Sequence, residues 1–333
     1  MSKFFVDTFT EFIKSLEIPF TQEGYLYSFP LSKFSILLQP LSNSPNSEVD
    51  SAVQCDSLGE EHLSTEYGQT DFLYLYEDRW FYSQELVKKR ILARLGRFRS
   101  VFARKCTVVA VDGEICREAK SGKKCVLVSD REIKEFIERY HSYGYARSKF
   151  RYALVYDGEI VAAAAFSASR PMPREVSVTG GTGGGGERES QEIRIYDSYE
   201  WIRYVSLPNV RVVGGMGRLL KAFLNDMTSR REIVCSGVEK NKGRSLNPVE
   251  VMSYSDEEWS TGEVYINLGF VEVARREPVL YYVDKCTYKR LSSRQFAKAA
   301  SDKGPSNNIS KFEDSKYYII KNKGSRKFLL QLP

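Results

Sequence analysis

Histidine is nearly absent from this chain: its 333 residues contain two, His62 and His141. Cysteine is sparse as well. Six residues stand at positions 55, 106, 116, 125, 235 and 286, and none forms a Cys-x-x-Cys pair. Zinc ligation at the usual spacings is therefore not expected, and no metal is assigned. Scattered single cysteines suit a reducing compartment and packing roles. No apolar run approaches the roughly 18–20 residues of a membrane-spanning helix, so no membrane partner is expected. The opening segment MSKFFVDTFTEFIKSLEI is amphipathic and carries acids, which is not the pattern of a signal or transit peptide. These absences leave a soluble, intracellular protein as the expectation, with the choice of organelle open.

What is present argues for a packed core. Hydrophobic residues make up 42% of the chain and aromatics 13%, too many for a disordered tail, and the length suggests about two domains. The net charge of +6 is unevenly spread. Residues 1–70 hold 3 Lys/Arg against 10 Asp/Glu, a net −7, whereas residues 285–333 hold 12 against 3, a net +9. Such a basic tail either meets phosphate backbones or forms a solvated basic face.

Along the chain, Phe4, Phe5, Phe9, Phe12, Ile13 and Leu16 recur at helical spacing and predict a helix over 3–17. Tyr25–Phe29, Phe34–Leu38 and Phe72–Tyr76 read as strands. Residues 40–70 read as a flexible, polar connection between them, with His62 inert inside it. Ser83 is placed to cap a basic helix running to about Leu95, so 1–100 forms a small α/β unit. Further strands are expected at 104–111, Phe150–Tyr156 and Ile160–Ser167, the last two joined by a tight Asp157-Gly158 turn. Asp130 is placed to cap the helix between them. The glycine-rich stretch 177–190 has no strand before it or helix after it, and reads as a disordered insertion rather than a phosphate loop. Ile193–Ile195, Glu200–Ser206, Ile233–Cys235, Val249–Tyr254, Phe270–Val273 and Val279–Val283 follow as strands, with helices at Leu219–Met227 and Thr261–Leu268. The whole is a mixed α/β (α+β) fold: a main domain at 101–285 and a basic extension at 286–333.

Chemistry concentrates in two places. At Val213-Gly214-Gly215-Met216-Gly217-Arg218 an apolar strand meets an amphipathic helix. Glycines let backbone N–H groups approach a phosphate, and a helix N-terminus supplies unsatisfied N–H groups and a partial positive charge. This is an anion site suited to a pyrophosphate, with Arg218 beside it, or else a turn that packs a helix closely on a sheet. Tyr265 lies one helical turn before Gly269-Phe270. Its phenol is either a general acid for a leaving thiolate or a core tyrosine with a satisfied hydroxyl. His141, at the end of a helix, either serves as a base or supports the helix dipole.

VVGGMGRLL and EVYINLGF together resemble the acetyl-CoA loop and the Tyr-x-x-x-Gly-Phe segment of the GNAT superfamily of N-acetyltransferases. The resemblance implies a GNAT-like mixed sheet with flanking helices that binds acetyl-CoA as acyl donor. It places Gly215 and Gly217 on the two loop glycines, with Val213, Gly214, Met216 and Arg218 around them. It makes Tyr265 the acid and Glu200, on the preceding strand, the base for the amine. Backbone N–H groups near Val205 would polarise the thioester carbonyl. The superfamily's first loop Arg/Gln falls on Val212, with Arg211 adjacent, and the stretch after Pro208 is about one residue longer than usual.

The segments FIERYHSYGYARSKFRYALVYDGEIVAAAAFSASRP and SKYYIIKNKGSRKF are further similar to a module of phage homing-endonuclease-like proteins, where it follows a restriction-endonuclease-like domain. The resemblance implies a nuclease-like ancestry for 1–100. Leu26, Leu37 and Gln39 stand where such a nuclease needs carboxylates and an amide, so this half is read as degenerate and unable to hold Mg²⁺ for phosphodiester cleavage. Three functions result: an acyl-CoA-dependent N-acyltransferase, a silent nucleic-acid-binding protein using basic segments 88–99 and 285–327 with Tyr288, Phe296 and Tyr317-Tyr318 interleaved, or a scaffold subunit.

Overall fold

The computed structural model describes residues 2–42, 71–112, 115–118, 128–182, 186–237, 247–301 and 316–332. Most of the expected connection at 40–70, His62 included, lies outside them. The chain begins with helix α1 (Ser2–Ser15), strands β1 (Thr21–Glu23), β2 (Leu26–Phe29), β3 (Phe34–Gln39) and β4 (Asp71–Tyr76), and helices α2 (Glu77–Tyr82) and α3 (Gln84–Arg94). Next come β5 (Arg99–Phe102), β6 (Thr107–Asp112), β7 (Ile115–Glu118), α4 (Asp130–Tyr140), β8 (Phe150–Tyr156), β9 (Glu159–Phe166), β10 (Arg170–Thr182), β11 (Gly186–Ser206), β12 (Val210–Val213) and α5 (Gly215–Gly237). The remainder is β13 (Val249–Asp256), α6 (Glu263–Asn267), β14 (Val271–Arg276), β15 (Leu280–Asp284), β16 (Arg290–Ser292), α7 (Ser293–Ser301), β17 (Tyr317–Lys321) and β18 (Ser325–Gln331). The architecture is mixed α/β.

Two compact units form, and they do not follow the three consecutive segments expected from the sequence. One comprises residues 1–97, 255–263 and 275–326, and the other 98–254, 264–274 and 327–333. The basic C-terminal stretch is thus divided between them rather than standing apart.

In the first unit β1–β4 form one sheet in sequential order, with β3 and β4 parallel, and β16-β15-β17 form a second. Phe5, Phe9 and Ile13 of α1 recur every fourth residue and are fully buried with Tyr27 and Trp80. Leu26 and Leu37 face each other across β2 and β3, and Gln39 is buried at the end of β3. Just past β4, Asp78 and Glu258 close on the guanidinium of Arg290. Its Nε and Nη2 donate to Asp78 at 2.7 and 2.9 Å, and its Nη1 donates to Glu258 at 2.7 Å. All three side chains are buried.

In the second unit a sheet runs β14-β18-β13-β11-β9-β8-β6-β7, with β10 added on β11 and a separate parallel ribbon of β12 and β5. Asp157 and Gly158 both take positive φ, the backbone of the expected tight hairpin turn between β8 and β9. Side-chain alternation along β8 shows that helices cover both faces. Arg151 is paired with Asp130 of α4, while Tyr152 donates from its hydroxyl to Asp226 of α5 at 2.9 Å. The small side chains of Ala162–Ala165 on β9 are fully buried between these layers.

Several elements differ from expectation. Ile233–Cys235 continue helix α5 instead of forming a strand, because the helix nucleated at Gly215 propagates through them. The strand expected at 104–111 starts later, at Thr107, because a 3-10 turn covers Ala103–Lys105 between it and β5. Ser129, not Asp130, caps α4, through a reciprocal box with Glu132. Ser83 does sit at the start of α3 but makes no side-chain cap bond. The two strands expected at 193–195 and 200–206 are one continuous strand, β11. It pairs with β10 from Arg170↔Ser198 to Thr182↔Gly186, so the glycine-rich stretch is strand on both flanks, with 183–185 outside the described residues.

Candidate functional site

β12 passes the chain to α5 through Gly214. The carbonyl of Gly214 accepts the first helical bond, from the Arg218 N–H at 3.0 Å, so the turn is shorter than expected and Gly215–Arg218 already form the helix's first turn. Gly214 has φ +75°, a conformation in which other residues are strained. The N–H groups of Gly215, Met216 and Gly217 have no carbonyl behind them, and among the described residues no side chain accepts from them. They leave a partial positive charge at the helix start. Gly215 also meets a packing demand: an added Cβ would lie 2.7 Å from the Tyr204 hydroxyl and 3.0 Å from Val212. At Gly217 it would lie 3.2 Å from Leu268.

Arg218 does not extend along the turn as expected. It folds inward, and its Nη2 donates to the Cys106 carbonyl at 3.2 Å. Burial pushes the Cys106 thiol up, and Arg218 opposes that shift. Arg211 points outward on β12, its guanidinium 5.5 Å from the centre of the Phe98 ring, and Val213 is exposed at the strand's end.

The second element is a parting of strands. β11 and β13 pair in parallel over Asp197–Glu200 with Val249–Met252, and there the pairing ends. β11 continues against β9 with a register irregularity between Trp201 and Arg203. The Oγ of Ser253, the first β13 residue past the pairing, lies 3.0 Å from the Trp201 carbonyl and 2.9 Å from the Tyr265 hydroxyl. The Ser253 hydroxyl is the donor to both, its one hydrogen shared between the Trp201 carbonyl and the Tyr265 oxygen. The Tyr265 ring stacks on Phe328 at 5.1 Å and meets the Trp201 and Phe270 rings edge-on at 5.9 and 5.5 Å. Burial raises the Tyr265 phenol above its ordinary value, with the Ser253 bond opposing. Burial also raises Tyr204, and Cys106 adds to the shift. Val205 lies beyond the split, buried and opposite Ala163.

Glu200 is not beside Tyr265. Trp201, which touches Tyr265, shares the α5 face with Tyr199, so alternation turns Glu200 to the α4 face. There its carboxylate pairs with exposed Arg170 at 3.3 Å. His141 ends α4, and its Nδ1 accepts the Tyr143 N–H at 3.1 Å. The ring thus caps the chain just past the end of α4.

Several residues of the basic segments expected to meet nucleic acid are engaged within the first unit, whereas Lys89, Lys289, Arg294 and Lys298 are exposed. Arg290 is buried in its ion pairs, Phe296 stacks on Tyr282 at 3.9 Å, and Tyr317 and Tyr318 are buried. Lys88 lies over Phe12 and Trp80, and Arg94 donates to the Trp259 carbonyl at 2.5 Å.

Sequence reasoning missed Trp201, Tyr204 and Ser253. Ser253 had a signal, being a small hydroxyl residue on the inward line Val251, Ser253, Ser255 of an alternating strand. Tyr204 had none, because its approach to Gly215 depends on the irregularity in β11. Comparison with known protein families, characterised proteins and solved structures finds no match to this chain.

Proposed function

We propose that the second unit is an acyl-CoA-dependent N-acyltransferase of GNAT type. The observation that carries this reading is the parting of β11 and β13 beside the Tyr265 hydroxyl. The glycine turn supports it but does not carry it, since each of its glycines also answers a local conformational or packing demand. Acetyl-CoA would set its pyrophosphate on the amides of Gly215, Met216 and Gly217, and its thioester between the parted strands. A main-chain N–H of β11 near Val205 would polarise the carbonyl.

The acceptor's amine nitrogen attacks the thioester carbon, the C–S bond breaks, and the Tyr265 phenol gives its proton to the departing sulfur. A phenol held above its usual range stays protonated until that moment. Glu200 faces the opposite side of the sheet, so it serves as base only for an amine arriving on the α4 face, where it takes up the proton that the amide product sheds. Arg170 must then release it.

Titration calorimetry with acetyl-CoA tests the binding step, and thiol release in the presence of a panel of primary amines tests the chemistry. Tyr265→Phe is expected to keep acetyl-CoA affinity and to lower kcat by roughly 10²–10⁴-fold, the usual contribution of a positioned acid. Absence of any acetyl-CoA binding to the wild-type chain would remove the reading.

A further inference from the structure

The two segments that build the β5–β12 ribbon, residues 98–111 and 201–225, contain no Asp or Glu. They carry Arg99, Arg104, Lys105 and Arg211, all exposed. None of these four takes part in an ion pair among the described residues. The register pairs Ser100 with Arg211 and Phe102 with Val213, which sets Arg211 and Phe102 on one outward face. Phe102 is 42% exposed, a large apolar ring left in water on a strand. Two guanidinium groups lie over rings here: Arg104 is 4.9 Å from the centre of Phe102, and Arg211 is 5.5 Å from that of Phe98.

A solvated basic face needs no exposed ring, and a buried-core aromatic needs no cation. The combination matches a strand of phosphates with unpaired bases: cations for the backbone, ring and guanidinium planes for the base faces. The four residues of β5 span roughly 13 Å, more than a single phosphate occupies. An acidic peptide would meet the charge but leave the rings unused.

We propose that the β5–β12 ribbon is a docking surface for single-stranded nucleic acid, with bases stacking on Phe102 and phosphates along Arg104 and Arg211. Arg104, Arg211 and Phe102 lie outside the basic segments 88–99 and 285–327, and the surface stands whether or not the unit transfers acyl groups.

Fluorescence anisotropy of labelled oligothymidylate with the full chain, over a series of salt concentrations, tests it. Wild type should bind at low salt. Arg104→Glu/Arg211→Glu should weaken binding by about tenfold or more and make the log K against log salt slope shallower by about 1.4, two phosphate contacts on a single strand. Phe102→Ala should weaken binding by roughly five- to a hundredfold, equivalent to about 1–3 kcal/mol per stacked base, without changing the slope. Wild-type binding by the double variant would overturn the assignment. So would a silent Phe102→Ala, or displacement of the oligonucleotide by acetyl-CoA, which would give these cations to a cofactor's own phosphates. Arg211→Gln, on the same outward face as Phe102, replaces the double variant should that one not fold, and wild-type affinity there would equally count against the surface.

Discussion

Replacing Arg290 by Met removes the cation held between Asp78 and Glu258 in the first unit. The guanidinium donates three hydrogen bonds of 2.7, 2.9 and 2.7 Å, and its side chain is 5% exposed against 1% for each carboxylate. Methionine preserves the length of the stem and its packing beside Tyr76 and Tyr281, over which the guanidinium lies. What is lost is the charge and its bonds. Two carboxylates then remain in a dry site with Arg79 as their remaining neighbouring cation, 3.8 Å from Glu258. Removing one partner of a buried ion pair costs about 3–5 kcal/mol. For a unit of this size, about 1 kcal/mol corresponds to about 2–4 °C, so the melting midpoint should fall by roughly 6–20 °C.

The assay is thermal unfolding followed by circular dichroism, at pH 8 and again at pH 5.5. Burial, with Asp256 adding to it, pushes the Glu258 carboxyl up to about 7 against the pull of Arg290 and Arg79. At pH 5.5 Glu258 is largely neutral and Arg290 answers chiefly to Asp78, so the loss should be smaller there than at pH 8. The Asp78 and Glu258 charges hold the Arg290 guanidinium well above its ordinary value in spite of burial, so it stays charged at both pH values. Adding Asp78→Asn and Glu258→Gln to Arg290→Met should recover part of the loss, since no orphan charge is then buried. A midpoint for Arg290→Met within about 3 °C of wild type, or about 1 kcal/mol, would refute the claim that this cation neutralises two buried carboxylates.

Glu258 alone should make stability depend on pH. Its folded value lies above its unfolded one, so between about 4.5 and 7 the folded chain holds a proton that the unfolded chain has released, and stability falls as pH rises through that window. Glu258→Gln should flatten this slope in melts at a series of pH values. Gly324 has φ +86°, and an added Cβ would lie 2.3 Å from the Arg276 carbonyl oxygen. Gly324→Ala should therefore cost about 1–3 kcal/mol or more in urea unfolding. Gly215→Ala drives a methyl onto the Tyr204 hydroxyl and Val212, for an expected loss of about 1–3 kcal/mol. Tyr204→Phe in the same chain should restore part of it by removing the oxygen, and strictly additive losses in a double-mutant cycle would show that the two do not meet.

Elements with a strong local pattern were legible in the sequence. The spacing of Phe5, Phe9 and Ile13, the Asp157-Gly158 turn and the apolar runs of β8 and β9 each declare themselves within a dozen residues. Two kinds of information were not legible. Residues Ile233–Cys235 are apolar, two of them β-branched, and only their attachment to a helix already under way makes them helical. The role of Arg290 could not be read from a run of basic residues, because the acids it answers lie at positions 78 and 258, far away along the chain. Net charge by segment does not show this: one cation of a stretch of +9 supplies the counter-charge of a buried site, while Arg104, Lys105 and Arg211 of the second unit lie in segments that composition did not single out. At the candidate site, the glycine turn and Tyr265 were visible as motifs. The parting of β11 from β13 was not, since it depends on pairing between strands that the chain does not place side by side.

That parting is the strongest structural reason to look for chemistry here. Two parallel strands that have begun to pair gain by continuing, because each further residue satisfies backbone groups that would otherwise need water or a side chain. β11 runs on to Ser206 and β13 to Asp256, yet their mutual pairing stops at Glu200 and Met252. The structure compensates at the first open position with a side chain, the Ser253 hydroxyl donating to the orphaned Trp201 carbonyl and to the Tyr265 oxygen. A local departure from the pairing rule, stabilised by dedicated side chains, is where a fold gives up stability for a task. Ser253→Ala separates the alternatives: in a purely structural bridge it lowers stability and leaves acetyl-CoA titration unchanged. In a site that orients Tyr265, it also lowers kcat in the direction of Tyr265→Phe while affinity for acetyl-CoA holds.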